Sequence, residues 1–159
     1  METGLKVCCV FKVTNPEQTL KFQAIQARDE HKYSLINDQE GFHVTRAIKL
    51  DELIAQGFDQ RLASKGRFGR GIYFAEDPCK ADSYWPEKAS KNTPLRMMLK
   101  VRLTMGRTKI YPSNHVNPSL LREPKGFDSV EGLIHNNKEY VIYNNDRANI
   151  EYIITYVKT

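Results

Sequence analysis

The sequence predicts an α+β fold built mainly on antiparallel sheet, and three observations carry that prediction. In the run from Leu95 to Met105, the residues Leu95, Met97, Leu99, Val101, Leu103 and Met105 alternate with Arg96, Lys100, Arg102 and Thr104. That period of two marks a strand with one face turned to a core. Two further strand-like runs close the chain, Glu139–Tyr143 and Glu151–Val157, joined through Asn144-Asn145-Asp146. Lastly, helical and strand-like stretches mix without the regular βαβ rhythm of a parallel sheet. A chain of 159 residues with 40% hydrophobic content suits one domain spanning residues 1–159.

In chain order, Leu5 to Val13 reads as a strand, with Val7, Cys9, Phe11 and Val13 on one side. Asn15-Pro16 then opens a helix, the asparagine able to cap it and the proline suited to the first helical position. Leu20, Phe22, Ala24, Ile25 and Ala27 give that helix an apolar side, and it should fade near Lys32. The polar residues Asn37 to Gly41 read as a loop leading to His43. After Thr45 a second helix is expected, with Leu50, Leu53 and Ile54 at helical spacing and Gly57 as its stop. A basic, glycine-rich loop precedes the short strand Ile72-Tyr73-Phe74. Asp77-Pro78 is another cap-and-proline start, for a short helix over Cys79 to about Trp85 on which Ala81 and Tyr84 share a face. Pro86 to Pro94 reads as a charged loop and Pro112 to Gly126 as irregular.

Composition bounds the function. No apolar run approaches the roughly 20 residues of a membrane helix, and the N-terminus lacks a secretory h-region. Cys8, Cys9 and Cys79 are odd in number and two are adjacent, which argues against a disulfide framework and for a reduced, intracellular protein, nuclear or cytoplasmic. They form no metal pattern and are expected to be small buried residues. The formal charge of +5 suits an anionic small molecule and a nucleic acid about equally. The stretch from Phe42 to Tyr84 holds a histidine, a glycine-rich basic loop and two tyrosines. Glycines let a ligand approach the main chain and basic side chains suit phosphates, so the stretch suits an aromatic ligand joined to a pyrophosphate.

Six ordered blocks extend this reading: His43-x-Thr45, Gly57-Phe58-Asp59, Phe68-Gly69-x-Gly71-Ile72-Tyr73-Phe74-Ala75, Lys80 with Tyr84, Phe127-Asp128-Ser129-Val130, and Glu139-Tyr140-Val141-Ile142-Tyr143. With Glu151–Tyr156 after them, they resemble the catalytic domain of the poly(ADP-ribose) polymerases, and within that family the tankyrase-like branch. The resemblance covers nearly the whole chain. It implies two packed, mainly antiparallel sheets with short flanking helices around a cleft that binds NAD as co-substrate. It also implies cleavage of the nicotinamide–ribose bond and transfer of ADP-ribose to a protein acceptor, the chain itself included.

By the family pattern His43, Tyr73 and Glu139 are the catalytic residues: His43 hydrogen-bonds a ribose hydroxyl, and Glu139, at a strand's start, stabilises the developing cation. Tyr73 and Tyr84 enclose the nicotinamide ring. The NAD-binding set is completed by Val44, Thr45, Asp59, Arg61, Gly71, Phe74, Ala75, Lys80 and Ala81. Arg61, Lys65, Arg67 and Arg70 supply the positive charge over the adenosine and pyrophosphate. Two positions depart from the pattern, Val44 for a glycine and Ala81 for a serine, and they leave room for a non-catalytic binding module of the same fold. A transferase acting on RNA ends is a third alternative. The tankyrase branch carries a zinc site in the loop before the Met97 strand, but no cysteine lies between Pro86 and Pro94, so no metal is expected. An acid at Glu139 leaves chain elongation open.

Overall fold

The computed structural model describes residues 4–45, 49–63, 65–86 and 94–159. Its elements are β1 (Leu5–Lys12), α1 (Pro16–Tyr33), β2 (Asp38–His43), α2 (Leu50–Gln56), β3 (Lys65–Gly66), β4 (Gly69–Arg70), β5 (Ile72–Ala75), α3 (Pro78–Asp82), β6 (Leu95–Thr104), β7 (Thr108–Ile110), β8 (Ser129–Ile134), β9 (Asn137–Ile142) and β10 (Ala148–Lys158). Eight strands join in the order β1-β10-β6-β2-β5-β9-β8-β7, and β3-β4 forms a separate two-stranded ribbon. The fold class is α+β; every pairing but the parallel β7–β8 is antiparallel.

The ladder falls into two four-stranded halves. Between β2 and β5 the only backbone pair is Phe42↔Ala75, whereas β2 pairs with β6 from Asp38 to His43 and β5 with β9 along its whole length. The two sheets implied by the resemblance are these halves, joined at one seam. The pleat of β6 sends Leu99, Val101 and Leu103 into the main core with Leu53, Phe58, Phe74 and Ile142. Met98, on the opposite face, packs with Val44, Ala75, Ala81 and Tyr156.

The caps follow the sequence. Asn15 accepts from the Gln18 N–H at 3.1 Å, and Gly57 ends α2 with φ of 75°, in the left-handed region that favours glycine. Residues 46–48 and 87–93, which hold part of the helix expected after Thr45 and most of the expected 86–94 loop, lie outside the described residues.

Several expectations are corrected. Asn37–Gly41 is not a loop, since Asp38 onward forms β2, the innermost strand of its half. Its polar side chains break the hydrophobic pattern, and two of them pair with other elements: Gln26 donates to Asp38 Oδ2 at 2.7 Å and Lys100 pairs with Glu40 at 3.1 Å. Gly41 belongs there because a Cβ would lie 2.7 Å from that of Phe74. Leu20, Ala24 and Ala27 are exposed rather than on the buried face of α1, where Phe22 and Asp29 are buried, the latter against Arg147 at 2.7 Å. The helix α3 stops at Asp82, three residues early, and Ser83 Oγ turns back to the Lys80 carbonyl at 2.6 Å. Cys8, Cys9 and Cys79 are all exposed, the first two on the edge strand β1, which has little packed over it, and the third on the outer side of α3.

Besides β2, the strands β3 and β4 within the expected glycine-rich loop, and β7 and β8, are not evident in the sequence. The β8–β9 hairpin turns through His135 and Asn136, both with positive φ (49° and 62°). That backbone suits a two-residue hairpin, but His-Asn lacks the glycine that usually advertises one. Among the described residues no helix is long and apolar enough to cross a membrane.

Candidate active site

At the seam, β2 and β5 diverge after their single pair and a cleft of about 430 Å³ opens, within the range of small-molecule sites. The end of β2 supplies Phe42 and His43, β5 supplies Tyr73 to Ala75, β9 supplies Glu139, and α3 with the turn after it supplies Ala81 and Tyr84. The β3–β4 ribbon closes one side with Lys65, Gly66 and Arg67.

His43 is oriented by the backbone of the opposite strand. Its Nδ1 lies 2.8 Å from the Tyr73 carbonyl oxygen, which only accepts, so Nδ1 carries the proton and Nε2 is the acceptor of the neutral ring. The ring stands edge-on to Phe58 (centroids 5.1 Å) and tilted against Phe74 (5.4 Å). Burial among these rings lowers its pKa below the ordinary histidine value, outweighing the carbonyl, which favours the charged form.

Tyr73 is fixed by the ribbon. Its hydroxyl donates to the Gly69 carbonyl at 2.7 Å and accepts from the Phe68 N–H at 2.9 Å. Gly66 must lack a side chain here, since a Cβ would come within 2.6 Å of the Tyr73 ring and hydroxyl. Desolvation pushes the phenol pKa up to about 12, with the Glu139 charge adding to it.

Glu139 is the buried acid of the cleft, only 3% exposed. It is the third residue of β9 rather than at a strand's start, paired with Ala75 on one side and Gly132 on the other. The Tyr84 hydroxyl donates to its Oε1 at 2.7 Å. Tyr84 is 38% exposed, and Lys80 Nζ stands 5.2 Å from its ring centroid without itself lining the cleft.

The remaining candidates divide. Val44, Thr45, Asp59, Gly71, Phe74, Ala75 and Ala81 line the cleft. The Val44 side chain is 7% exposed and packs with Ala75, Ala81, Met98 and Tyr156, so the isopropyl group departing from glycine is accommodated in the core. Of the four basic residues, Lys65 and Arg67 line the cleft, whereas Arg61 and Arg70 do not. Arg61 turns to Asp59, with Nη2 2.7 Å and Nε 3.2 Å from Oδ2, and Asp59 also caps the following 3-10 turn by accepting from the Arg61 N–H at 3.0 Å. That guanidinium holds the Asp59 carboxyl below the usual carboxylate range. The no-metal expectation concerned residues 86–94, of which 87–93 lie outside the described residues.

Phe58, Leu62 and Ala63 line the cleft and were not singled out as ligand residues. Gly57-Phe58-Asp59 was a recognised block, but only the fold shows that Phe58 backs His43. Asp82 was also missed: the carboxylate of this last α3 residue is 3% exposed and holds Arg96 (2.7 Å), Tyr156 Oη (2.8 Å) and Lys158 (3.3 Å). Burial alone would raise its pKa, but these three donors hold it below the usual range. Nothing in the local sequence distinguishes it from a solvated helix-end aspartate.

A family model described as "Poly(ADP-ribose) polymerase catalytic domain" matches residues 1–133, so Glu139 lies beyond the matched stretch. One curated relative, "Probable inactive poly [ADP-ribose] polymerase SRO5" of Arabidopsis thaliana, is 25% identical over 95 residues, 60% of this chain. The match spans 30% of that relative's length.

Proposed function

We propose that this chain, which belongs to the poly(ADP-ribose) polymerase catalytic-domain family, binds NAD in the seam cleft and transfers its ADP-ribosyl group to a protein acceptor. The observation that carries the reading is Glu139, a carboxylate 3% exposed and held by the Tyr84 hydroxyl in a cleft shared with His43 and Tyr73. The cleft chemistry fits the donor: Tyr73 and Tyr84 offer rings to a flat nicotinamide, and Lys65 and Arg67 offer charge to a pyrophosphate.

Transfer breaks the bond from ribose to nicotinamide. The base departs neutral with the bonding pair, positive charge grows on the sugar carbon, and the acceptor nucleophile joins that carbon, releasing to solvent any proton it carried. A buried negative charge is the group such a transition state needs, and Glu139 supplies one in a site of low dielectric. His43, with Nδ1 committed to the Tyr73 carbonyl, presents Nε2 as acceptor to a sugar hydroxyl. Val44 retains a backbone N–H and C=O for the nicotinamide amide. Ala81 offers that amide no hydroxyl.

Incubating the protein with NAD labelled in the ADP-ribose, followed by mass spectrometry of the products, tests the proposal. Labelled protein supports it, label on added RNA alone moves the acceptor to nucleic acid, and intact NAD overturns it. A second reading, a binding module without turnover, is favoured by one observation: the relative's printed name describes an inactive protein. NAD binding by calorimetry without turnover would select it.

A further inference from the structure

The anchoring of α3 spans the weakest line of the sheet. Asp82 Oδ1 accepts from Arg96 Nη1 at 2.7 Å and from Tyr156 Oη at 2.8 Å, while Oδ2 lies 2.9 Å from the same Arg96 nitrogen and 3.3 Å from Lys158 Nζ. Arg96 stands on β6 and the other two on β10, all in the half that contains β1 and β2. Two residues beyond Asp82, Tyr84 donates to Glu139 on β9, in the other half. The short link between them is itself tied down: the Tyr84 N–H reaches the Ala81 carbonyl at 3.1 Å and the Trp85 N–H reaches the Asp82 carbonyl at 2.9 Å. The backbone ladder across the same seam is the one pair Phe42↔Ala75.

We propose that Asp82 is a positioning residue: by pinning α3 to one half of the sheet it sets, through Tyr84, where the Glu139 carboxylate stands on the other. Apolar packing also docks α3: Ala81 is buried among Val44, Ala75 and Met98, and Trp85 packs against that cluster. Such contacts are non-directional and tolerate small rotations. A buried carboxylate gathering three donors from two strands fixes orientation, because each hydrogen bond weakens steeply with angle. Rotating α3 would swing Tyr84 and take the hydroxyl away from Glu139.

The kinetic part of this proposal rests on the transferase reading; the mechanical part does not. Asp82→Asn keeps an acceptor oxygen but removes the anion that Arg96 and Lys158 face. In steady-state turnover of NAD, kcat should fall about tenfold while KM stays within about twofold, because ring contacts persist and the charge acts on the transition state. In a Tyr84→Phe background the same change should alter kcat by less than about twofold, since the link is already cut. Equal losses of kcat in both backgrounds, or a loss confined to KM, would overturn the proposal.

A second cycle reads the mechanical link without turnover. Unfolding constants are measured by urea titration for Asp82→Asn, Glu139→Ala and the double variant. The double variant should be severalfold less destabilised than the singles predict, and additivity should return in the Tyr84→Phe background. Additivity in both backgrounds overturns the link. Intact coupling without any turnover would keep the brace and reject the transferase reading, so the two failures are distinguishable.

Discussion

The Tyr84 hydroxyl donates to Glu139 Oε1 at 2.7 Å, joining a partly exposed ring on the turn after α3 to a buried carboxylate on β9. One side chain thus both lines the cleft and donates a hydrogen bond to its buried acid.

Tyr84→Phe separates these two roles. The ring remains, so a nicotinamide-type ligand should bind within about twofold of the parent by calorimetry. The buried carboxylate loses a donor, which should cost about 1–3 kcal/mol of stability. Turnover should fall at least about tenfold, because Glu139 loses the group that orients it. Unchanged kcat would mean that other contacts hold the acid in place.

Tyr73→Phe should behave differently. The Tyr73 hydroxyl is spent on the ribbon, between the Phe68 N–H and the Gly69 carbonyl. Its removal leaves two backbone groups short of a partner, and urea unfolding should show a loss of about 1–3 kcal/mol. Affinity for a nicotinamide-type ligand should stay within about twofold, since one neutral hydrogen bond to the ligand would be worth more than that. A larger loss of affinity than of stability would show that the hydroxyl contacts the ligand.

His43 should make stability depend on pH. Its folded pKa is depressed below 6.5 by burial, so as pH falls the unfolded chain takes up the proton first. The stabilisation is complete above 6.5 and is lost as pH falls through the folded value. Urea unfolding of parent and His43→Gln from pH 7.5 downward should show a shallower acid decline in the variant. Parallel declines would remove His43 as the source.

Much of this was legible where pattern and cap chemistry agree. The alternation from Leu95 to Met105, the Asn15 and Asp77 caps and the Gly57 stop each rest on a local physical rule, and each holds to within a few residues. What escaped is what depends on distant partners. β2 is polar and still central, with Gln26 donating to Asp38 Oδ2 and Lys100 pairing with Glu40, partners the local pattern does not show. The His135-Asn136 turn adopts left-handed backbone without glycine. In the cleft, His43, Tyr73, Tyr84 and Glu139 came from ordered motif blocks, and the fold gathers them at one seam. The division among the basic residues was hidden, because an adjacent acid, Asp59, had already claimed Arg61. Asp82 was invisible for a similar reason: its three partners lie on strands far along the chain.

The proposed transfer depends on the Glu139 charge, and Glu139→Gln removes that charge. Glutamine keeps the shape and an oxygen to accept from Tyr84 but removes the charge. With NAD labelled in the ADP-ribose, label transferred per unit time should fall by about two orders of magnitude or more at saturating NAD, because the charge acts on the transition state. Transfer by Glu139→Gln at the parent rate would exclude a role for the Glu139 charge in the reaction.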